Sequence, residues 1–396
     1  MAPAVHQRNV ISNFVSAWIP LLLIIIYIPL LSLHEEIVLF MQYMQPTPKE
    51  IDRRKDLVKR FTTLIESFDI GATVRPVGSY VTGLYTPTSD IDMVLTSQSK
   101  TSQSKTRQSS FSRISTLSPD LYTVLWKLQG SGFASNIESV MRATVPLIRV
   151  TDKITGIEID LTASDTHAVN ATNAVEKWME TDTKLIKMLV MVVKTFLSIR
   201  RLGKTYTGGV NSYLLVWMVV SWVKQEWPKR NTAAKDRSNA EIDISAITRG
   251  LMGLSMSPSS PRLPSALATN TSQAEPLDYG TALIAFFKFY GLDFDYYQTA
   301  IKIHPRPSYQ QKNYPYSRYP VTQRYLLSIF DPADGSIDMG SKAYAIKHVK
   351  ASFQEAYETL KGGTLRRGSM NDSLGAALGG DFGNFEKKRK KVASNY

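Results

Sequence analysis

Hydrophobic and polar residues alternate along several short runs in the first half of the chain. The runs ATVRPVG, DIDMVLT, VPLIRVT and IEIDLT each have the two-residue period of a β-strand with one buried face. Two helices are predicted before them, over residues 34–67, separated by the Pro46–Pro48 turn. Thr47 is a suitable N-cap for the second helix. We therefore predict a small domain of strands and helices near residues 60–165.

The second half of the chain has the pattern of buried helices. TKLIKMLVMVVKTFLSIRR and SYLLVWMVVSWVKQEW are apolar around most of their circumference, and helices are also predicted over YGTALIAFFKFYG and ASFQEAYETL. No strand pattern is apparent in this half, and this favours two domains over one. The predicted fold class is α+β, with a small mixed sheet followed by a mostly helical domain.

These patterns divide the chain into five segments. They are an apolar N-terminal arm over 1–33, a helical segment over 34–60 that packs on the helical domain, the sheet domain over 61–165, the helical domain over 166–360, and a disordered basic tail over 361–396. Residues 97–118, which contain most of a tandem TSQSK repeat over 96–105, and residues 228–276, rich in Pro, Ser and Asn, are predicted to be loops.

Composition narrows the classes of function. The net charge of +13 over 396 residues favours a polyanionic partner. The absence of cysteine excludes disulfides and cysteine-ligated metal centres, and the five histidines have no metal-ligand spacing. The apolar stretch 18–33 is shorter than the roughly 20 residues of a spanning helix and contains Pro20 and Pro29. We expect a surface arm or an insertion here, and no stable membrane association.

Carboxylates recur on one face of two predicted strands. Asp90 and Asp92 lie on the same side of DIDMVLT, and GIEIDLT places Glu158 and Asp160 on the side opposite its apolar residues. Bringing Asp160 beside the other two aspartates would create repulsion unless the group shares divalent cations. Two magnesium ions held by oxygen ligands are the simplest arrangement, and this arrangement suits phosphoryl transfer.

A Gly-Ser pair precedes the carboxylates. Gly78 and Ser79 lie at a predicted strand-to-helix turn, where backbone N–H groups and a hydroxyl can approach a triphosphate. A lone Asp-x-Asp or Gly-Ser pair occurs in many solvated turns. The combination is much rarer, with Ser79 eleven positions before Asp90 and an aspartate-bearing strand further on. It favours a nucleotide and metal site.

Four segments in order carry a family resemblance. GSYVTGLYTPTSDIDMVL resembles the signature of polymerase-β-type nucleotidyltransferases, and more narrowly that of nuclear Trf-type poly(A) polymerases, the adenylating subunits of TRAMP complexes. VKTFLSIRRLGKTYTGGVNSYLLVWMVVSW is similar to the central-domain segment of that family, and DYGTALIAFFKFYGLDFDY to its PAP-associated motif. FDPADGSIDMGSKAY resembles its nucleotide-recognition loop. The resemblance covers most of the chain.

The resemblance implies an active site in the cleft between the two domains and a role for each matching residue. Asp90, Asp92 and Asp160 would be catalytic and would bind Mg²⁺ or Mn²⁺; Gly78, Ser79, Lys194 and Ser212 would contact the triphosphate of ATP; Tyr213 would stack on the base; and Asp338 would belong to the nucleotide-binding set. Without the resemblance, Lys194 could equally be a solvated helix charge, Ser212 an N-cap and Tyr213 a core aromatic.

The recognition loop departs from the family pattern. Phe330 stands where glutamate is usual before Asp331-Pro332, Ile337 where asparagine is expected, and Ser341 where arginine is expected. These departures affect the choice of base more than catalysis. Asn170 and Asn173 are candidates for the ribose contact.

The resemblance implies a template-independent enzyme that adds AMP from ATP to RNA 3′ ends. The alternatives are a terminal uridylyltransferase, which shares the catalytic residues, and an inactive scaffold that binds RNA or partner proteins. The implied partners are a zinc-knuckle RNA-binding protein and an RNA helicase, in the nucleus or nucleolus. Residues 302–324 suit single-stranded RNA, or a loop whose tyrosines pack on the helical domain, and EKKRKK suits nuclear localisation or RNA anchoring.

Overall fold

The described part of the chain forms two hydrophobic cores. The computed structural model describes residues 31–97, 121–143, 145–163, 166–230, 277–312, 323–365, 373–379 and 382–394. One core lies between a sheet and two helices, and the other joins helices from both ends of the chain. The predicted α+β class is confirmed.

The first core belongs to a five-stranded sheet in the order β1-β2-β5-β4-β3. The strands are β1 (Ala72–Pro76), β2 (Ile91–Ser97), β3 (Ala134–Val140), β4 (Leu147–Asp152) and β5 (Glu158–Ala163). Strands β2 and β5 are parallel and the other pairs are antiparallel. Helices α2 (Pro48–Ser67) and α4 (Leu121–Gly130) cover one face of the sheet, and their apolar residues pack on its buried side chains. The other face carries the carboxylates.

The second core is helical. Its helices are α1 (Leu33–Met44), α5 (His167–Met179), α6 (Thr183–Ile199), α7 (Ser212–Gln225), α8 (Tyr279–Lys288), α9 (Ile346–Leu365) and α10 (Ser373–Leu378). Trp217, Trp222, Phe286 and Phe353 are fully buried among them. A five-residue π-helical turn, Phe289–Asp293, continues α8. Gly291 is required in that turn because a Cβ there would lie 2.7 Å from the backbone nitrogen of Gln354.

The helical half also contains strands that the sequence patterns did not predict. Strands β6 (Thr299–Lys302), β7 (Ser308–Gln311) and β8 (Ile329–Phe330) form a small sheet in the order β7-β6-β8. Tyr309 packs on the ring of Phe289. The ammonium of Lys312 donates to three backbone carbonyls, and burial lowers the pKa of this lysine to about 8. The described part of 302–324 therefore agrees with the second alternative for this segment, in which its tyrosines pack on the helical domain. Residues 313–322 lie outside the described residues.

The predicted boundary between the domains differs from the observed one. Both helices before the sheet are present, and each begins with a capping box, Ser32 with Glu35 and Thr47 with Glu50. The apolar side of α1 packs in the helical core, however, whereas that of α2 packs under the sheet. The segment 34–60 is therefore not one unit, and the chain passes between the domains at residues 45–47.

The prediction of a disordered tail over 361–396 is wrong for its described residues. Helix α9 continues to Leu365, α10 follows, and helix α11 (Gly383–Ser394) contains the basic run. Leu374, Leu378 and Phe382 are buried in the helical core, whereas Val392 is buried in the sheet domain. A few well-placed apolar residues therefore order a segment that its glycine and lysine content made appear disordered.

Three predicted features fall wholly or almost wholly outside the described residues. They are the N-terminal arm up to residue 30, the loop 97–118 after its first residue, and the loop 228–276 after residue 230. Among the residues that are described, no helix combines the length and apolarity needed to cross a membrane.

Candidate active site

The three predicted catalytic aspartates lie on the open face of the sheet. In the parallel pairing of β2 with β5, Asp92 lies directly opposite Asp160, and Asp90 comes immediately before β2. Burial, followed by the nearby carboxylates of Asp90 and Asp160, raises the pKa of Asp92 to about 7. The strands thus gather the like charges that the sequence patterns predicted.

An arginine that sequence reasoning did not select neutralises one of these carboxylates. Arg149 lies opposite Asp160 in the β4–β5 pair, and its Nε and Nη2 each donate to a different oxygen of Asp160 at 2.8 Å. The carboxylate of Glu158 lies 3.9 Å from the same Nε. Alternation within VPLIRVT places Arg149 on the polar side of its strand, but only the strand pairing shows that it faces Asp160.

The Gly-Ser turn lies against Asp92. Gly78 has a φ of +67°, and a Cβ at this position would lie 2.9 Å from Oδ2 of Asp92, so the close approach requires glycine. The N–H of Gly78 donates to Oγ1 of Thr172 at 2.9 Å, and this bond ties the turn to α5. Ser79 begins α3 (Ser79–Thr82) and lines the cavity in front of the aspartates.

Two cations lie close to Asp90. Lys194 on α6 donates from Nζ to the carbonyl of Leu84 at 3.3 Å; burial lowers its pKa, and the carboxylates of Asp90 and Asp92 oppose that shift. Arg54 on α2 is fully buried and donates from Nη2 to the carbonyls of Pro87 and Ser89. Arg54, which sequence reasoning missed, therefore fixes the turn that precedes Asp90.

A cavity of about 370 Å³ lies between the two domains. Its lining includes most of the predicted site: Gly78, Ser79, Asp90, Asp92, Lys194, Ser212 and Tyr213. Asp160 is not among its lining residues; it belongs to the site through its place beside Asp92 in the sheet. A second cavity of about 400 Å³ adjoins the first, shares Lys194 and Ser212 with it, and is also lined by the cations Arg201 and Lys204. The predicted position of the site, between the domains, agrees with this lining.

The structural alternatives for Lys194, Ser212 and Tyr213 were a solvated helix charge, an N-cap and a core aromatic. Lys194 is partly buried and lines the cavity with Asp90 and Asp92, so it is not a solvated helix charge. Asn211, and not Ser212, is the N-cap of α7, because its side chain accepts from the N–H of Leu214. The ring of Tyr213 meets Trp217 edge to face at one side and lines the cavity at the other.

A buried aspartate connects the recognition loop to the cleft. Asp331 is only 2% exposed; its Oδ1 accepts from the hydroxyl of Tyr213 at 2.8 Å, and its Oδ2 lies 2.9 Å from Nε2 of His167. Burial, followed by the contact with Asp331, raises the pKa of Tyr213, so the phenol stays protonated. Asp331 thereby fixes the aromatic ring predicted to stack on the base.

Two predicted contacts are placed differently. Asp338 accepts from the backbone of Ile329 and Gly340 and from the hydroxyl of Ser328, so it caps a short 3₁₀ turn and does not line the cavity. The asparagines proposed for the ribose, Asn170 and Asn173, are exposed on α5. Ala168, Ala171, Thr172 and Val175 line the cavity from that helix. The spacing of α5 therefore favours Thr172 over either asparagine as the polar group at this wall.

The carboxylates fit a divalent metal by their chemistry. Asp90, Asp92 and Asp160 offer only hard oxygen donors, and their mutual repulsion is relieved by a bound cation. In the described residues, no three carboxylate or imidazole groups already converge at metal-binding distances. One reason is visible in the structure, since Arg149 engages both oxygens of Asp160.

Comparison with known proteins gives two family matches. Residues 33–180 match the central palm domain of mitochondrial-like poly(A) RNA polymerases, and residues 278–336 match the Cid1 family of poly(A) polymerases. Poly(A) RNA polymerase protein 2 of Saccharomyces cerevisiae is 27% identical over 89% of this chain and 51% of its own length. An inactive non-canonical poly(A) RNA polymerase, Trf4-2 of Drosophila melanogaster, is 28% identical over 83% of this chain and 68% of its own length.

A solved structure shows the same fold. The polymerase core of TRAMP, an RNA surveillance complex, superposes with a TM-score of 0.66 at 24% identity, and the match covers 87% of this chain and 93% of that one. The chain spans about half the length of several of the curated relatives that it matches.

The fold is that of the polymerase core of TRAMP, with a carboxylate-bearing sheet domain and a helical domain facing it across a cleft. The chain contains, in this order, segments that match the palm domain and the PAP-associated domain of poly(A) RNA polymerases.

Proposed function

We propose that this chain adds AMP from ATP to RNA 3′ ends without a template, in a reaction that depends on magnesium or manganese. The observation that carries the proposal is that Asp90 and Asp92 lie beside the Gly78 turn and line one cavity with Lys194, while Asp160 lies next to Asp92 in the sheet. The names of the relatives supply the choice of reaction.

The chain's own residues divide the work. The triphosphate would lie between the Gly78–Ser79 turn and Lys194, with Tyr213, held by Asp331, against the base. The 3′-oxygen of the RNA forms a bond to the α-phosphorus as the bond to the departing pyrophosphate breaks. A metal held by Asp90, Asp92 and Asp160, when bound, would favour loss of the hydroxyl proton and neutralise the phosphates.

The uridylyltransferase alternative rests on the recognition loop. Ile337 is 39% exposed at the position where the family pattern has asparagine, so it offers no amide to a base. This departure supports testing UTP beside ATP. The intact Gly-Ser turn and carboxylates, in contrast, support an active enzyme over an inactive scaffold.

Partners and location are proposals of the same kind. The match to the polymerase core of TRAMP, an RNA surveillance complex, supports assembly into a complex; we propose a zinc-knuckle protein and an RNA helicase as its partners and the nucleus as its location. The exposed lysines Lys387, Lys388 and Lys390 of α11 are available for targeting or for RNA, whereas Arg389 in the same run is engaged within the protein.

The decisive experiment is nucleotide addition by the purified chain. A labelled RNA oligonucleotide is incubated with magnesium or manganese and each nucleoside triphosphate in turn. We expect extension with ATP, and a preference for UTP would support the alternative. The double variant Asp90→Ala/Asp92→Ala should abolish extension, whereas the exposed control Asp52→Ala should retain it. Extension by the double variant at the wild-type rate, or none by any preparation, would refute a catalytic role.

A further inference from the structure

The guanidinium of Arg149 has N–H groups that do not bind Asp160. We propose that its guanidinium binds the terminal phosphodiester of the RNA substrate, the one that links the last two nucleotides. This inference rests on the proposed function, because it names the group that receives the RNA at the same site.

The strand pairing places Arg149 in a row of charges across the sheet. Asp92 lies opposite Asp160, Asp160 opposite Arg149, and Arg149 opposite Glu138 on the edge strand β3. Arg149 is the cation of this four-strand row. Carboxylates flank Arg149 on both sides in this row, and they repel a polyanion. A phosphate that approaches the row would therefore be attracted to Arg149.

The guanidinium keeps donors for a further ligand. Nε and Nη2 hold Asp160, but in the described structure Nη1 donates to no protein group, and 36% of the side chain is exposed. An arginine fork can bind a carboxylate through one edge and a phosphate through its remaining N–H groups. Asp160 fixes the direction in which those remaining groups point.

The position of Arg149 relative to Lys194 assigns the two cations to different substrates. Lys194 lies with Asp90 and Asp92 at the Gly78 side of the cavity, where the triphosphate would bind. Arg149 lies beyond Asp160, away from that turn. In an in-line displacement the attacking and leaving oxygens are on opposite sides of the α-phosphorus. The RNA end that supplies the attacking oxygen therefore belongs on the side of Asp160 and Arg149.

The experiment measures RNA binding in EDTA, where no nucleotide is added. The probe is a fluorescent single-stranded RNA with a free 3′-hydroxyl, used with a natural terminal phosphodiester or with an uncharged methylphosphonate in its place. The variants are Arg149→Gln and the matched control Arg142→Gln, which removes an exposed arginine from the turn after β3. A second control RNA carries the methylphosphonate six linkages upstream.

We expect the terminal methylphosphonate to weaken binding to the wild type and to Arg142→Gln by about ten-fold, and to have little effect on Arg149→Gln. The salt dependence of binding to Arg149→Gln should also fall by about 0.7 in log–log slope, the loss of one phosphate contact. Equal methylphosphonate penalties in all three proteins, no terminal penalty in the wild type, or no binding of RNA by the wild type would overturn the proposal.

A structural role for Arg149 would change the melting temperature but not the difference between the two RNAs, so the comparison holds even if the variant is less stable. Failure of the proposed function is observed separately, as an absence of nucleotide addition by the wild type in magnesium. RNA binding with the expected pattern but without addition would keep the inference and reject the enzyme.

Discussion

Replacing Asp92 by asparagine should stabilise the metal-free protein, and the gain should grow with pH. Asp92 is the carboxylate that the sheet places between Asp90 and Asp160, and burial and these neighbours raise its pKa to about 7. Asparagine has nearly the same shape and cannot ionise. The substitution therefore removes the electrostatic cost of the site while keeping its packing.

The structure gives the size and direction of this effect. An aspartate in the unfolded chain has a pKa of about 3.9, whereas that of Asp92 in the folded chain is about 7. Because folding raises the pKa, the contribution of Asp92 to stability is complete below pH 4, is lost as the pH rises to 7, and stays lost above it. The whole loss is at most about 4 kcal/mol, of which about 3 kcal/mol falls between pH 5 and pH 8.

Urea unfolding in EDTA at pH 5, 6, 7 and 8 measures the effect. The free energy of unfolding of Asp92→Asn minus that of the wild type should increase across this range by about 3 kcal/mol. The exposed control Asp52→Asn should show no comparable increase. Adding magnesium at pH 8 should then stabilise the wild type more than Asp92→Asn, because the ion needs the carboxylate. A difference between variant and wild type that is the same at all four pH values would refute this account of the site.

Two further substitutions test parts of the same framework. Gly78→Ala should lower the rate of nucleotide addition by at least about a hundred-fold with an unchanged circular dichroism spectrum, because a side chain at φ +67° would press on the Asp92 carboxylate; a near-normal rate would contradict that contact. Arg389→Ala should lower the free energy of unfolding by about 3 kcal/mol, because it leaves Glu50, 1% exposed, without its cation. The exposed control Lys390→Ala should have little effect in the same urea titration.

Local patterns placed the aspartates on the polar side of their predicted strands. Side chains alternate between the two faces of a strand. Because the apolar residues of each strand face the core, Asp90, Asp92 and Asp160 were predicted to lie on the opposite face. Which strands become neighbours is decided by the packing of the whole domain. For this reason Arg149 could be assigned to the polar side of β4 but not to Asp160, although the contact is among the best-formed in the site.

The recognition loop shows a different limit. Asp338 matches the family pattern, but its carboxylate is satisfied by backbone groups of the loop itself. Asp331 matches it equally well and reaches Tyr213 and His167 from two other helices. The sequence analysis selected Asp338 and not Asp331, because only the packed structure shows which of the two carboxylates reaches distant helices.

The C-terminal helix could not be predicted because its partners lie more than 300 positions away. Arg389 binds the carboxylate of Glu50 and the carbonyls of Tyr43 and Gln45, all at the point where the chain passes from one domain to the other. Phe382, immediately before α11, and Val392, near its end, are buried in different cores.

Helix α11 is therefore attached to both walls of the cleft and to the connection between them. A change in the opening of the cleft must move α11 relative to at least one core, and it must therefore disturb Val392, Phe382 or the bonds of Arg389. The basic run that appeared to be a mobile tail is thus part of the framework that holds the Gly78 turn and Asp92, on one domain, at their distance from Lys194 and Tyr213, on the other.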